Sequence, residues 1–157
     1  MLRLSLIWVD KTRDTWLRAG IEHYIEKIEH YIRVQVLQVR GVRFARKMKP
    51  DEVMKREAKS IVKALPKGTF TVALDVKGQM LDSPGLAGML TDLETRGVRD
   101  LTMVIGGASG LAPEIIKRAD KRLSLSPMTF THDMARLILL EQIYRACTIK
   151  AGEPYHH

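Results

Sequence analysis

Cysteine is almost absent from this chain: Cys147 is the single thiol among 157 residues. An internal disulfide and a cysteine-based zinc cluster are therefore both excluded. Long apolar runs are lacking too, with nothing near the roughly 18 residues that a membrane-spanning helix needs. The opening stretch Met1 to Val9 is apolar but short, and no small-residue cleavage site follows it. It is expected to be a first strand rather than a secretion signal. Repeats, low-complexity tracts and linkers are missing, so one domain over residues 1–157 is expected. These absences together point to the cytoplasm. No His, Asp and Glu cluster has metal-ligand spacing, and no Ser-His-Asp nucleophile signature occurs. Metal dependence and serine hydrolase chemistry are not expected.

Acidic residues are in short supply: 18 Asp and Glu face 26 Lys and Arg, for a net charge of +8. The excess is local. Between Arg40 and Lys67 ten basic residues face three acidic ones, a net +7 in one short segment. Such a field attracts a polyanion by counterion release. It also suits a plain solvated face, and the two readings weigh equally here.

The apolar pattern alternates. Leu2 to Val9, Ile32 to Val39, Thr69 to Asp75, Leu101 to Ile105 and Leu123 to Leu125 are strand-like. Between them, helical spacing appears over 13–30, 50–65, 83 onward with Ser83 as cap, and 113–119. A final helix is expected over 132–150. The predicted third strand ends in a polar turn at Lys77-Gly78. Strands alternating with helices predict an α/β domain with a mostly parallel sheet. The last helix is apolar on most sides, at Met134, Leu137, Ile138, Leu139, Leu140, Ile143, Tyr144 and Ile149. An ordinary surface helix has one apolar stripe, so a second buried face, against a partner subunit, is expected.

Ligands of open α/β sheets bind at the carboxyl ends of strands. Three such ends stand out: Leu74-Asp75, the glycine turn Gly106 to Gly110, and Ser126 to His132. The glycine turn admits close approach of a ligand to the backbone. It is neither a Walker A loop nor a full dinucleotide fingerprint. Taken alone it also suits any tight strand-to-helix turn.

In order and spacing, Leu74-Asp75, Ile105 to Leu111, Leu123 to His132, Arg136, Glu141 to Ala146 and Pro154-Tyr155-His156 resemble the ribosomal RNA large-subunit methyltransferase H family, a small member of the SPOUT class. The resemblance spans essentially the whole chain, and its specific part is the C-terminal half. It implies a SPOUT-type α/β knot and a homodimer without metal. It implies S-adenosyl-L-methionine as methyl donor and N3 of a pseudouridine in large-subunit (23S) ribosomal RNA as target, in the assembled ribosome. Carried over by position, Leu74, Gly106, Leu125, Ser126, Pro127, Met128, Thr129 and Phe130 would contact the cofactor. His156 would act as base or proton relay, with Tyr155 orienting it. Arg136 would stabilise charge developing on the uracil oxygens. Thr131 departs from the proline common in relatives before the histidine. Two rivals are a non-catalytic RNA-binding factor, which has no use for adenosylmethionine, and a small-molecule enzyme, which has no salt-dependent RNA affinity.

Overall fold

The computed structural model describes residues 1–157. Five strands form one parallel sheet in the order β2-β1-β4-β3-β5. In chain order the elements are β1 (Arg3–Val9), α1 (Thr15–Ile28), β2 (Arg33–Val39), α2 (Pro50–Ala64), β3 (Phe70–Met80), α3 (Ser83–Thr95), β4 (Asp100–Val104), α4 (Pro113–Arg118), β5 (Lys121–Ser124) and α5 (His132–Lys150). Single 3₁₀ turns occur at Ala45–Lys47 and Pro154–His156. No helix is long and apolar enough to cross a membrane.

Strand β1 shows why the sheet is covered on both faces. Its side chains alternate sides. Leu4, Leu6 and Trp8 join a core with α1, α3 and α5, whereas Ile7 and Val9 join a second core with α2 and α4. Both sets are buried, so from Leu6 to Val9 β1 is a continuous apolar run,. Pairing of β1 with β4 runs from Arg3 opposite Asp100 to Ile7 opposite Val104, capped by an Arg3–Asp100 ion pair at 2.7 Å.

The polar turn expected at Lys77-Gly78 is not a turn. Strand β3 continues to Met80, and both Leu74 and Gln79 pair with Leu123, so residues between them bulge outward. Gly78 makes this possible. A Cβ there would lie 2.7 Å from Arg122 C and 2.8 Å from Leu123 N, inside the neighbouring backbone. The cap of α3 is also displaced by one residue. Asp82 accepts from Gly85 N at 2.7 Å, while the Ser83 hydroxyl donates to Gln142 Oε1 at 2.6 Å and ties α3 to α5. Helix α5 lies between α1 and α3 on the sheet. Those two neighbours account for much of its all-round apolar character.

Candidate active site

The carboxyl ends of β3, β4 and β5 open on one cavity of about 720 Å³. Its first wall is Leu74, Asp75 and Val76, the start of the β3 bulge. Arg122 pairs with Asp75 and fixes that wall to β5. The second wall is the turn Ile105 to Leu111. This turn folds back on itself, Gly110 N donating to Gly107 O at 3.0 Å. A Cβ on Gly106 would stand 2.6 Å from Gly110 C and 2.9 Å from Leu111 N. Glycine at 106 is thus required by the turn's own backbone, before any ligand arrives. The third wall runs from Leu125 to His132. Ser126 shapes it: its carbonyl accepts from the Ser124 hydroxyl (3.1 Å), and its Oγ accepts from Met128 N (3.0 Å). Thr131 then caps α5 by accepting from Met134 N at 3.2 Å.

Leu74, Gly106, Leu125, Ser126, Met128, Thr129 and Phe130 all line this cavity; Pro127 does not. The three residues read as catalytic are not assembled with them. Arg136 has no exposed surface. Its guanidinium donates to Val9 O (2.6 Å) and Thr12 Oγ1 (3.0 Å) and lies 4.9 Å from the Trp8 ring. Asp133 Oδ1 is 3.1 Å away, close enough for an ion pair but without hydrogen-bond alignment. Burial lowers the Arg136 pKa, against the pull of Asp133 and Asp10. Arg136 is therefore a strut joining α5 to the end of β1, and no surface of it is left for a uracil oxygen.

Tyr155 and His156 sit elsewhere. The tail turns back along α5, where the Tyr155 hydroxyl donates to Glu141 Oε1 (3.2 Å) and Arg145 donates to the His156 carbonyl (3.1 Å). At 1.5 Å per residue, Glu141 is about 13 Å along the helix from the cavity-lining His132. Tyr31 holds the tail from the other side, donating to Glu153 at 2.7 Å. Burial, with Tyr24 and Glu141 nearby, pushes the Tyr155 phenol up to about 12. Neither Tyr155 nor His156 lines the cavity of its own protomer.

A family profile described as a predicted SPOUT methyltransferase matches residues 2–156. The chain belongs to the SPOUT methyltransferase family. Relatives agree along its whole length. A protein named ribosomal RNA large subunit methyltransferase H from Geobacter sp. (strain M21) is 44% identical, over 99% of each chain. Its namesake from Moorella thermoacetica is 43% identical over 99% of each. The sheet and helices also match solved structures. A probable methylase family protein from Haemophilus influenzae superposes with a TM-score of 0.58 at 12% identity, over 97% of this chain and 70% of that one. A probable methyltransferase from Bordetella pertussis gives 0.58 at 13%, over 93% and 96%.

Two features of the site in this SPOUT methyltransferase are not foreseen from its sequence. Val76 enters through the unexpected β3 bulge, next to the Leu74-Asp75 strand end that the sequence singles out. His132, the end of the third such stretch, lines the cavity as expected, with Nε2 3.4 Å from Asp133 Oδ1. Glu57, counted among the solvated charges of α2, is only 7% exposed. The signal was its spacing, four residues after buried Val53 and four before buried Ile61,.

Proposed function

We propose that this chain is an S-adenosyl-L-methionine-dependent methyltransferase acting on N3 of a pseudouridine in large-subunit ribosomal RNA. The observation that carries the reading is the single cavity lined by seven of the eight residues that the sequence resemblance gives to the cofactor. The fit rests on its walls. Backbone of the Gly106–Gly110 turn and of the Ser126 loop supplies polar contacts for a ligand, and Leu74, Leu125 and Phe130 supply apolar faces for a flat ring. Those residues would hold the cofactor; when bound it supplies an electrophilic methyl group. The first part of the basic segment, Arg40 to Lys49, lies beyond the carboxyl end of β2, on the same edge of the sheet, and would hold phosphates,. The names of the relatives support ribosomal RNA as the substrate class. In this reading the segment after β5 is threaded as the SPOUT knot, and the protein works on ribosomes in the cytoplasm.

The reading includes a homodimer. Met134 and Ile138 are half-buried but pack against neither core, unlike their neighbours Ala135 and Leu137. With Glu141 and Arg145 they follow one another at helical spacing, and a second copy covers this stripe. Bordering it, Tyr155 and His156 would serve the facing protomer's cavity rather than their own.

The test is transfer of labelled methyl to ribosomes that lack the modification. Incorporation at one pseudouridine of the large-subunit RNA is expected. No incorporation, together with no adenosylmethionine binding by calorimetry in the micromolar range, would refute the reading.

A further inference from the structure

Behind the glycine turn lies a carboxyl group that nothing in the fold uses. Glu57 reaches from α2 to the carboxyl edge of the sheet, where its Oε2 lies 3.0 Å and its Oε1 3.2 Å from the place a Cβ on Gly107 would take. Gly107 lines the cavity, so Glu57 abuts the outer side of that wall. Its carboxyl makes no hydrogen bond or ion pair, and Oε1 is buried without a partner. Replacing the group by an apolar one would remove the cost of burying it. Glu57 does not itself line the cavity and meets it only through Gly107, where no Cβ stands between; an acceptor kept buried and unpaired against such a wall marks a place where a donor arrives.

The surrounding charges narrow the role. Asp10, at the end of β1 in the left-handed region (φ 60°), is the charged group that acts on Glu57 through space. Its own carboxylate already accepts from Gly41 N at 2.7 Å. From α5, Arg136 is committed to Val9, Thr12 and Asp133, and His132 leans on Asp133. No charged group of β2 or α4 adds to the effect. Burial first, then Asp10, pushes the Glu57 carboxyl above the usual glutamate range. That direction brings a base closer to the pH at which it works.

We propose that Glu57 is the proton acceptor of the methyl transfer, taking the N–H proton of a uracil-type ring held at the Gly107 wall. This rests on the methyltransferase reading above. The step balances: the ring N3–H bond breaks and its proton goes to a Glu57 oxygen. The N3 electron pair forms the bond to the methyl carbon. The carbon–sulfur bond of the sulfonium donor breaks, leaving its pair on an uncharged thioether. The glutamic acid then returns its proton to water.

Single-turnover methylation by Glu57→Gln and Glu57→Asp dimers, measured across pH, tests this with adenosylmethionine calorimetry and RNA affinity as controls. Glu57→Gln should slow transfer by about 100-fold or more and lose the rise of rate with pH, while both affinities stay within a few-fold. Glu57→Asp, which keeps a carboxylate, should be the faster of the two. Carboxyl carbon-13 titration of the protein without RNA should place Glu57 above the ordinary glutamate range. A Gln variant with the wild-type rate and pH profile overturns the assignment, as does an Asp variant no faster than Gln. Failure of wild-type protein to transfer methyl would instead overturn the methyltransferase reading itself.

Discussion

Replacing Arg136 separates a structural strut from a substrate contact. In Arg136→Ala the carbonyl of Val9 and the hydroxyl of Thr12 lose their donor, and Asp133 loses its counter-charge. Breaking a buried pair by removing one partner costs about 3–5 kcal/mol. Arg136 is fully buried and Asp133 mostly so, so solvent repays only part of the loss. For a chain of this size each kcal/mol lowers the melting temperature by about 2–4 °C. The expected drop is therefore roughly 6–20 °C by thermal melting at neutral pH. The double variant Asp133→Asn with Arg136→Met removes both charges and keeps the volume, so it should regain much of the loss. A substrate contact predicts the opposite pattern: unchanged melting and a large loss of methyl transfer. An Arg136→Ala protein that melts within a degree or two of wild type but has lost its activity would refute the strut.

Four further outcomes follow from the same geometry. Gly106→Ala drives a Cβ into the Gly110–Leu111 backbone, so it should destabilise the protein by about 1–3 kcal/mol as well as weaken cofactor binding; a stable variant with normal calorimetry would contradict this. Ile138→Glu should convert dimer to monomer in sedimentation while leaving the monomer's core intact, since Ile138 packs against neither core; an unchanged dimer would move the interface elsewhere. Reversing Arg43, Arg46 and Lys47 should weaken ribosome affinity and flatten its salt dependence, by about one slope unit for each phosphate left without a cation, without touching adenosylmethionine binding. The Tyr31 and Tyr155 phenols, pushed up to about 12 by Glu153 and by burial respectively, favour their neutral forms in the fold; the stability they add is present below their ordinary value near 10 and lost as pH rises toward 12, which alkaline melts of wild type against Tyr31→Phe would register.

Much of this architecture is legible from periodicity. Strand β1 and helix α5 announce themselves because one is buried on two faces and the other is wedged between α1 and α3, so apolar residues recur on more than one side of each. The failures share a cause. The β3 bulge depends on Gly78 meeting the backbone of Arg122 and Leu123, residues more than forty positions away. A Lys-Gly pair read locally suggests a turn, because local rules do not register a strand that comes later in the chain. The one-residue shift at the α3 cap is similar: Ser83 and Asp82 both suit an N-cap, and the choice falls to Asp82 because Ser83 is claimed by Gln142 on α5.

The site divides along the same line. The cofactor walls are runs of consecutive residues, so order and spacing identify them. The charged rim is assembled from single residues of separate elements. Glu57 from α2, Asp10 from the end of β1 and Arg136 from α5 approach the same edge of the sheet from its two faces and its end. Each alone reads as a surface charge. What marks out Glu57 and Arg136 is burial together with incomplete pairing: Asp133 and Asp10 act on the buried guanidinium, and the exposed Asp10 also acts on Glu57. That guanidinium donates to Val9 and Thr12 and pairs with Asp133, its Nε left without a partner, and Asp10 is held by Gly41. The carboxyl left with neither a hydrogen bond nor an ion pair is Glu57. A fold optimised for stability alone would place an apolar side chain at 57, on the stripe between Val53 and Ile61. Retention of a carboxyl there is the kind of local cost that functional sites carry, and it falls beside the one loop whose glycines form the cavity wall.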